Sequence, residues 1–274
     1  MLIDKREIVK LSADIRRVID GQDVDFRDNR EGVFSILKND VHTLASLKSE
    51  QVDALKRDKD ALKDAIANIS HQLKTPYTSM MIMADLLENA PPDKQAEFIA
   101  NIRTGLARTE WLVSALLKMA RLDAGVVEFS RNRIQADTLV GLALEPLQIL
   151  LDVKNQTVTA SGTAECICDK QWTVEALTNV LKNASEHAPE GGEIRVKSGE
   201  NPICAWIGVT DSGAGISNAE IAKLFKRFEG SRSGAGYGIG LPLARAIMRG
   251  QNGDIQIDGK SATGGATFTL KFYK

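Results

Sequence analysis

Apolar residues recur at heptad spacing through the front of the chain. Phe34, Val41, Leu55, Leu62 and Ile69 lie seven or fourteen residues apart, and Lys48 occupies the missing step. This spacing predicts a long helix with a coiled-coil seam. The companion row changes register: Leu37 and Leu44 follow a member of the series by three residues, whereas Val52, Ile66 and Leu73 follow by four. Such an offset is a stutter, which locally alters coiled-coil winding. It reads either as a tolerated irregularity in a dimeric stalk or as a register-switching element that transmits a signal. Ahead of it, Ile8, Leu11, Ile15, Val18 and Ile19 mark a short amphipathic helix, and Gly21 opens a polar connector rich in Asp. After Pro91-Pro92 comes an imperfect stripe of Phe98, Ile102, Gly105, Thr109, Leu112, Leu116 and Met119, on a helix predicted over 95–122. Two long helices joined by a Pro-rich turn make an antiparallel hairpin. One hairpin cannot enclose its own stripe, but two copies can, as a four-helix bundle. Homodimerisation is the expectation.

The pattern changes at Asp123-Ala124-Gly125, where a helix should stop. Beyond it, short β-like runs are predicted at 128–134, 157–160, 164–168, 193–198, 203–210, 254–258 and 265–272, with helices near 137–153, 172–187, 218–226 and 238–250. This order fits helices laid on one face of a mixed sheet. The fold class is therefore α followed by α/β.

Composition narrows the setting. The 274 residues amount to about two domains, and 35 Lys+Arg against 36 Asp+Glu leave a net charge of -1, which gives no sign of a nucleic-acid partner. Hydrophobic residues at 43% with aromatics at only 5% require a mainly aliphatic core. Cys166 and Cys168 sit two apart on a predicted strand, and no further Cys or His pair completes a zinc pattern, so they read as structural thiols in a reducing compartment. The apolar stretches fall well short of the ~18 residues that suggest a membrane span, so the chain as given reads as soluble and cytoplasmic.

Four segments carry chemistry. In Ser70-His71-Gln72-Leu73-Lys74-Thr75-Pro76, His71 lies beside the apolar seam, within reach of solvent, and Thr75 is one helical turn away on the same face. Pro76 lacks an N–H, which frees the carbonyl of Gln72 and predicts a kink there. In the second segment, Asn179 and Asn183 share a helix face, where two amide oxygens can approach one hydrated Mg²⁺. His187 closes that helix and can pack, cap it or approach a nucleotide. In the third, Asp211-Ser212-Gly213-Ala214-Gly215 follows an apolar run; a carboxylate at a strand end can accept from an exocyclic amine, with Gly213 and Gly215 letting the backbone turn near a flat ring. The fourth is Gly236-Tyr237-Gly238-Ile239-Gly240-Leu241, which opens a helix whose N–H groups suit phosphate. Neither the dinucleotide fingerprint nor a phosphate-loop lysine motif is present.

In this order the four segments resemble the boxes of bacterial sensor histidine kinases of two-component systems. SHQLKTP is similar to the H-box, 179–187 to the N-box, DSGAG and GYGIGL to the glycine boxes, Leu224-Phe225-Lys226-Arg227-Phe228 to the phenylalanine box, and Gly264-Gly265-Ala266-Thr267-Phe268 to the closing segment. The resemblance implies four parts: a degenerate HAMP-like input connector at 1–32, a signalling coiled-coil helix at 33–60, a dimerisation and phosphotransfer bundle at 61–125, and a Bergerat (GHKL-type) ATP-binding α/β sandwich at 126–274. It further implies ATP with Asp211 at the adenine amine, Asn183 and Asn179 at Mg²⁺, and a lid over about 216–238. Gly236, Gly238 and Gly240 with Leu241 would lie at the phosphates, Arg227 and Arg232 would supply phosphate cations, and Thr267 would complete the pocket. His71 would be the phospho-acceptor, Thr75 would position water for dephosphorylation, and a response-regulator receiver domain would be the partner. Family members are commonly membrane receptors, so the full-length protein is expected to be membrane-anchored.

Two residues depart from the family pattern. Gln72 stands where an acid usually follows the histidine; its amide oxygen can orient the imidazole but cannot take its proton. Glu186 stands where a basic residue is frequent, and would repel phosphate unless it faces away. These departures leave open a phosphatase-biased or pseudokinase regulator, and the ATPase boxes leave open a conformational ATPase of the gyrase or chaperone type. Thr75 has a second reading too, as a helix threonine bonded back to the carbonyl of His71.

Overall fold

The computed structural model describes residues 5–19, 24–25, 33–88, 90–228, 238–260 and 264–274. The chain divides into two compact units, 1–67 and 68–274. The first contains α1 (Lys5–Ile19) and the opening turns of α2 (Val33–Glu88). Leu11 is its buried apolar residue on α1, and His42 Nδ1 lies 3.9 Å from Asp25 Oδ1. Leu37, Leu44, Val52 and Leu55 of the heptad rows are exposed. Gly21 and the side chain of Leu62 lie outside the described residues. The expected stalk and first bundle helix are one uninterrupted helix of 56 residues, which passes through Pro76. No helix among the described residues is long and apolar enough to cross a membrane.

In the second unit the rest of α2 pairs with α3 (Pro92–Asp123). Pro92 occupies the first turn of α3, where its missing N–H costs nothing. The hairpin is tight where Gly105 meets Met80: a Cβ at Gly105 would lie 2.6 Å from Met80 Cγ. At its other end, Gly125 takes φ 66°, donates to Leu122, and lets Val126 N–H reach back to the carbonyl of Arg121, closing the helix.

The C-terminal part of the stripe on α3 is covered within the chain. Leu112, Ala115 and Met119 are buried, and they are covered within the same chain by the α/β part, chiefly by its last helix. Another apolar set is left uncovered: Tyr77 and Met81 on α2, and Leu106, Val113 and Leu117 on α3.

The α/β part contains β1 (Asn132–Gln135), α4 (Ala136–Leu144), α5 (Gln148–Val153), β2 (Thr157–Gly162), β3 (Glu165–Cys168) and α6 (Lys170–His187). There follow β4 (Glu193–Glu200), β5 (Cys204–Thr210), α7 (Asn218–Leu224), α8 (Gly240–Gly250), β6 (Gly253–Asp258) and β7 (Thr267–Tyr273). The helix predicted over 137–153 is broken by a 3-10 turn, Glu145–Leu147, which contains Pro146. Five strands form a mixed sheet in the order β2-β4-β5-β7-β6, parallel only between β2 and β4. The other two strands do not join it: β1 and β3 are four residues each, run directly into α4 and to the start of α6, and form their own antiparallel ladder. The core is aliphatic, as the composition required, with Ile194, Ile207, Val209, Leu270 and Phe268 from the sheet meeting Leu177, Val180, Leu243 and Ile247 from α6 and α8.

Cys166, Cys168 and Cys204 are buried free thiols. Burial and the neighbouring Cys168 push Cys166 up to about 12, so it is held as the neutral thiol.

Asp169 caps α6. Its Oδ1 accepts from Trp172 N–H, its Oδ2 accepts from the N–H and hydroxyl of Ser130, and its own N–H donates to Gln251 Oε1. Burial alone would raise this carboxyl, but the hydrogen bonds outweigh it and hold the group below the usual carboxylate range. A depressed folded-state value contributes stability above the unfolded pKa of ~3.9, lost as pH falls through the folded value. Asp169→Asn should therefore lower stability at pH 7 by about 1–2 kcal/mol, roughly 3–6 °C in Tm, with the gap closing below about pH 4. Thermal denaturation of both proteins across pH 2–8 measures this, and a gap independent of pH would refute the carboxylate's role.

Candidate functional site

The structure brings Asn179, His187, Asp211, Gly213, Gly240 and Thr267 together at one end of the α/β part. Asn179 and Asn183 lie on consecutive turns of α6. Asn179 is buried; its Nδ2 donates to the Glu175 carbonyl at 2.8 Å, and its Oδ1 rests against Gly240, the first residue of α8, where a Cβ would come within 2.8 Å. Glycine at 240 is thus what lets α8 begin beside α6. Asn183 has a buried Nδ2 with no hydrogen-bond partner. A buried amide left unpaired costs ~1–3 kcal/mol, so this Nδ2 has a donor to offer a group placed beside it. Rotating the amide about its last bond presents Oδ1 to the same space, so it can serve a phosphate or a hydrated cation.

Asp211 is 2% exposed at the end of β5. Its Oδ1 accepts from Gly213 N–H at 2.8 Å and from Ala266 N–H at 3.4 Å, while its own N–H donates to the Ala266 carbonyl. The carboxylate is thereby locked in one rotamer, with Oδ2 left for an outside donor. Gly213 passes so close that a Cβ would meet the His187 carbonyl at 2.6 Å, which ties the end of α6 to the Asp211 turn. The Gly215 segment is held nearby where Ile216 N–H donates to Gly259 O at 2.7 Å. Thr267 shares a 2.8 Å hydroxyl hydrogen bond with Thr210, the residue before Asp211. Leu241 is buried in the first turn of α8. Arg232 and Gly236 lie outside the described residues, but Phe228 N–H donates to the Gly238 carbonyl at 3.0 Å, so the phenylalanine segment is fastened to the start of α8.

Two predicted charges are placed by their partners. Glu186 lies 4.0 Å from Lys182, which offsets the negative charge expected to disturb phosphate. Arg227 is engaged by Asp123 at the end of α3, with Nη2 2.8 Å from both carboxylate oxygens.

His71 is exposed on α2. With Lys74, Thr75, Thr78, Ser79, Ile82 and Met83 it lines a shallow groove of about 520 Å³ along one helix face. Thr75 Oγ1 donates to the His71 carbonyl at 3.1 Å, as a helix threonine does, and the residue is exposed. Gln72 is half-buried. Among the described residues no hydrogen bond or ion pair joins His71, Gln72 or Thr75 to the Asn179–Asp211 cluster.

Sequence reasoning missed Gln156. This buried side chain donates from Nε2 to the carbonyls of Ser185, Ala188 and Pro189 and accepts from Ser185 Oγ at 2.6 Å, clamping the end of α6. A lone glutamine 29 residues from its partner leaves no local signal. Ser212, whose Oγ accepts from Glu193 N–H, was visible only as a turn residue.

Residues 61–125 match the family described as His Kinase A (phospho-acceptor) domain, and residues 168–274 match that described as histidine kinase-, DNA gyrase B- and HSP90-like ATPase. The sensor-like histidine kinase SenX3 of Mycobacterium tuberculosis is 28% identical over 219 residues, covering 77% of this chain and 53% of SenX3. The chain thus spans about half the length of such curated relatives. Among solved structures, Acinetobacter baumannii histidine kinase AdeS superposes with TM-score 0.63 at 19% identity, over 74% of this chain and 97% of that one. Histidine kinase ThkA in complex with response regulator protein TrrA gives TM-score 0.63 at 19% identity, over 83% of this chain and 66% of that one. These two structures share the fold.

Proposed function

Because the chain belongs to the sensor histidine kinases of two-component systems, we propose that it binds Mg-ATP at the Asn179–Asp211 cluster, phosphorylates His71, and passes the phosphoryl group to an aspartate of a response-regulator receiver domain. The observation that carries this reading is the convergence of a rotamer-locked buried Asp211, the unpaired Asn183 amide and the start of α8. Asp211 accepts the exocyclic amine of adenine. The N–H groups opening α8, with Gly238 and Gly240, receive phosphate oxygens. Asn183 and Asn179 are the residues that would hold Mg²⁺, whose charge when bound offsets that of the phosphates. A ring nitrogen of His71 forms the N–P bond as the bridging O–P bond breaks and ADP leaves, while the Gln72 amide orients the imidazole.

Thr75 is exposed one turn from His71, which suits holding a water for hydrolysis of the regulator's phospho-aspartate. Thr75→Ala should then slow dephosphorylation by about tenfold or more with His71 labelling retained; an unchanged phosphatase rate removes Thr75 from that role. We further propose a homodimer through the uncovered apolar residues Tyr77, Met81, Leu106, Val113 and Leu117, residues 1–32 as an input connector, and a membrane-anchored receptor part in the full-length protein.

Incubation of the protein with radiolabelled Mg-ATP tests the central reading. Acid-labile, base-stable phosphate that moves to a receiver domain is the expected result. ATP binding without labelling would instead establish the pseudokinase or phosphatase-biased regulator, and rapid bulk hydrolysis without a phosphoprotein the conformational ATPase.

A further inference from the structure

The face of α3 that carries Leu112, Ala115 and Met119 is an intramolecular docking surface, and its rim is charged. Lys118 Nζ lies 2.9 Å from Glu175 on α6, and Lys182 on α6 sits 5.2 Å over the Trp111 ring. At the far end Arg227, from the segment after α7, holds Asp123, the last residue of α3. Beside this pair is a cavity of about 610 Å³, lined by Leu122, Phe129, Phe225, Pro242 and Arg245 among others, which leaves the Arg227 guanidinium room to move.

Arg227 also stands next to Phe228, whose N–H is bonded to Gly238 at the approach to α8. The Arg227 guanidinium thus pairs with Asp123 from a backbone position one residue away from the approach to α8, where a phosphate is proposed to sit. A phosphate that engages the fork of the guanidinium competes with Asp123 for it. We infer that Arg227 exchanges between Asp123 and the nucleotide phosphates, so that docking of the ATP-binding part on α3 and binding of Mg-ATP oppose each other. This rests on the nucleotide site proposed above.

The antagonism is reciprocal. Whatever the Asp123 pair takes from nucleotide affinity, bound nucleotide takes from docking. The pair is about half-exposed on both sides, 45% and 47%, so it is a weak latch. Phosphate is a multiply charged partner that accepts guanidinium in forked geometry and wins the exchange at saturating ATP. The apolar contacts of Leu112, Ala115 and Met119 then lose one of their three rim supports, which favours release of the ATP-binding part.

Mg-ATP affinity measured by calorimetry on the whole chain tests the exchange. Asp123→Asn should bind Mg-ATP about two- to fivefold more tightly than wild type, the range set by one exposed ion pair. Arg227→Ala should bind about tenfold or more weakly, and adding Asp123→Asn to it should change nothing further. The charge swap Asp123→Arg with Arg227→Asp rebuilds the latch without the phosphate cation, and should bind as weakly as Arg227→Ala. Equal affinity of Asp123→Asn and wild type, or a tightening that persists without Arg227, overturns the exchange. Failure of the wild type itself to bind Mg-ATP overturns the nucleotide site instead.

Discussion

Replacing His71 by alanine is expected to abolish incorporation of acid-labile phosphate while ATP affinity stays within about twofold of wild type. The separation follows from placement: His71 lies on an exposed face of α2, and none of its described contacts reaches the Asn179–Asp211 cluster. It is the one histidine on this groove. His187 ends α6, with its carbonyl packed at Gly213, and His42 lies beside Asp25 in the first unit. Labelling that survives in His71→Ala would move the phospho-acceptor elsewhere. The neighbouring position gives a gain-of-function counterpart. Gln72 can orient the imidazole but cannot accept its proton, so Gln72→Glu should raise the rate of labelling, by up to about 10²-fold if proton acceptance limits it. An unchanged rate in Gln72→Glu would mean that water already removes the proton.

Loss of the Asp211 carboxylate should be the most damaging change to nucleotide binding. Its Oδ1 is occupied by Gly213 and Ala266, and the position is buried, so at the proposed site Oδ2 would meet an incoming base away from water. A hydrogen bond to a charged acceptor is worth ~1.5–3 kcal/mol, and the alanine variant also frees the Gly213 turn, so Asp211→Ala should weaken ATP binding by about 10² or more. Asp211→Asn separates the two effects. Its amide oxygen can keep the Gly213 bond, but then an NH₂ donor faces the donor amine of adenine. The same logic sets base choice: the wild-type carboxylate repels the 6-oxo group of guanine, whereas the asparagine amide can donate to it. Competition of GTP against ATP is therefore expected to improve in Asp211→Asn by about tenfold or more, since a mismatched polar pair in a dry site is what discriminates. Equal nucleotide affinity in wild type and Asp211→Asn would place the adenine elsewhere.

These expectations draw on both levels of information. The amino-acid sequence by itself determined the elements and their order. The heptads of α2, the stop at Gly125 and the apolar runs of β4, β5 and β7 are local patterns, set by periodicities of 3.6 and 2 and by glycine stereochemistry. It also named His71, Asn179, Asn183 and Asp211, because each sits in a short segment whose residue types make sense together. Only the tertiary structure decided what those segments do to one another. It removed β1 and β3 from the main sheet and broke the helix at Pro146. It covered Leu112 and Met119 from within the chain, so that a different apolar set became the candidate dimer surface. It brought Gln156 to the end of α6 and Arg227 to Asp123, across separations of 29 and 104 residues. Periodicity tells which face of a helix is apolar, since neighbours along the chain fix that face. It does not tell what covers the face, because the covering atoms arrive from distant sequence and are chosen by packing and charge in three dimensions.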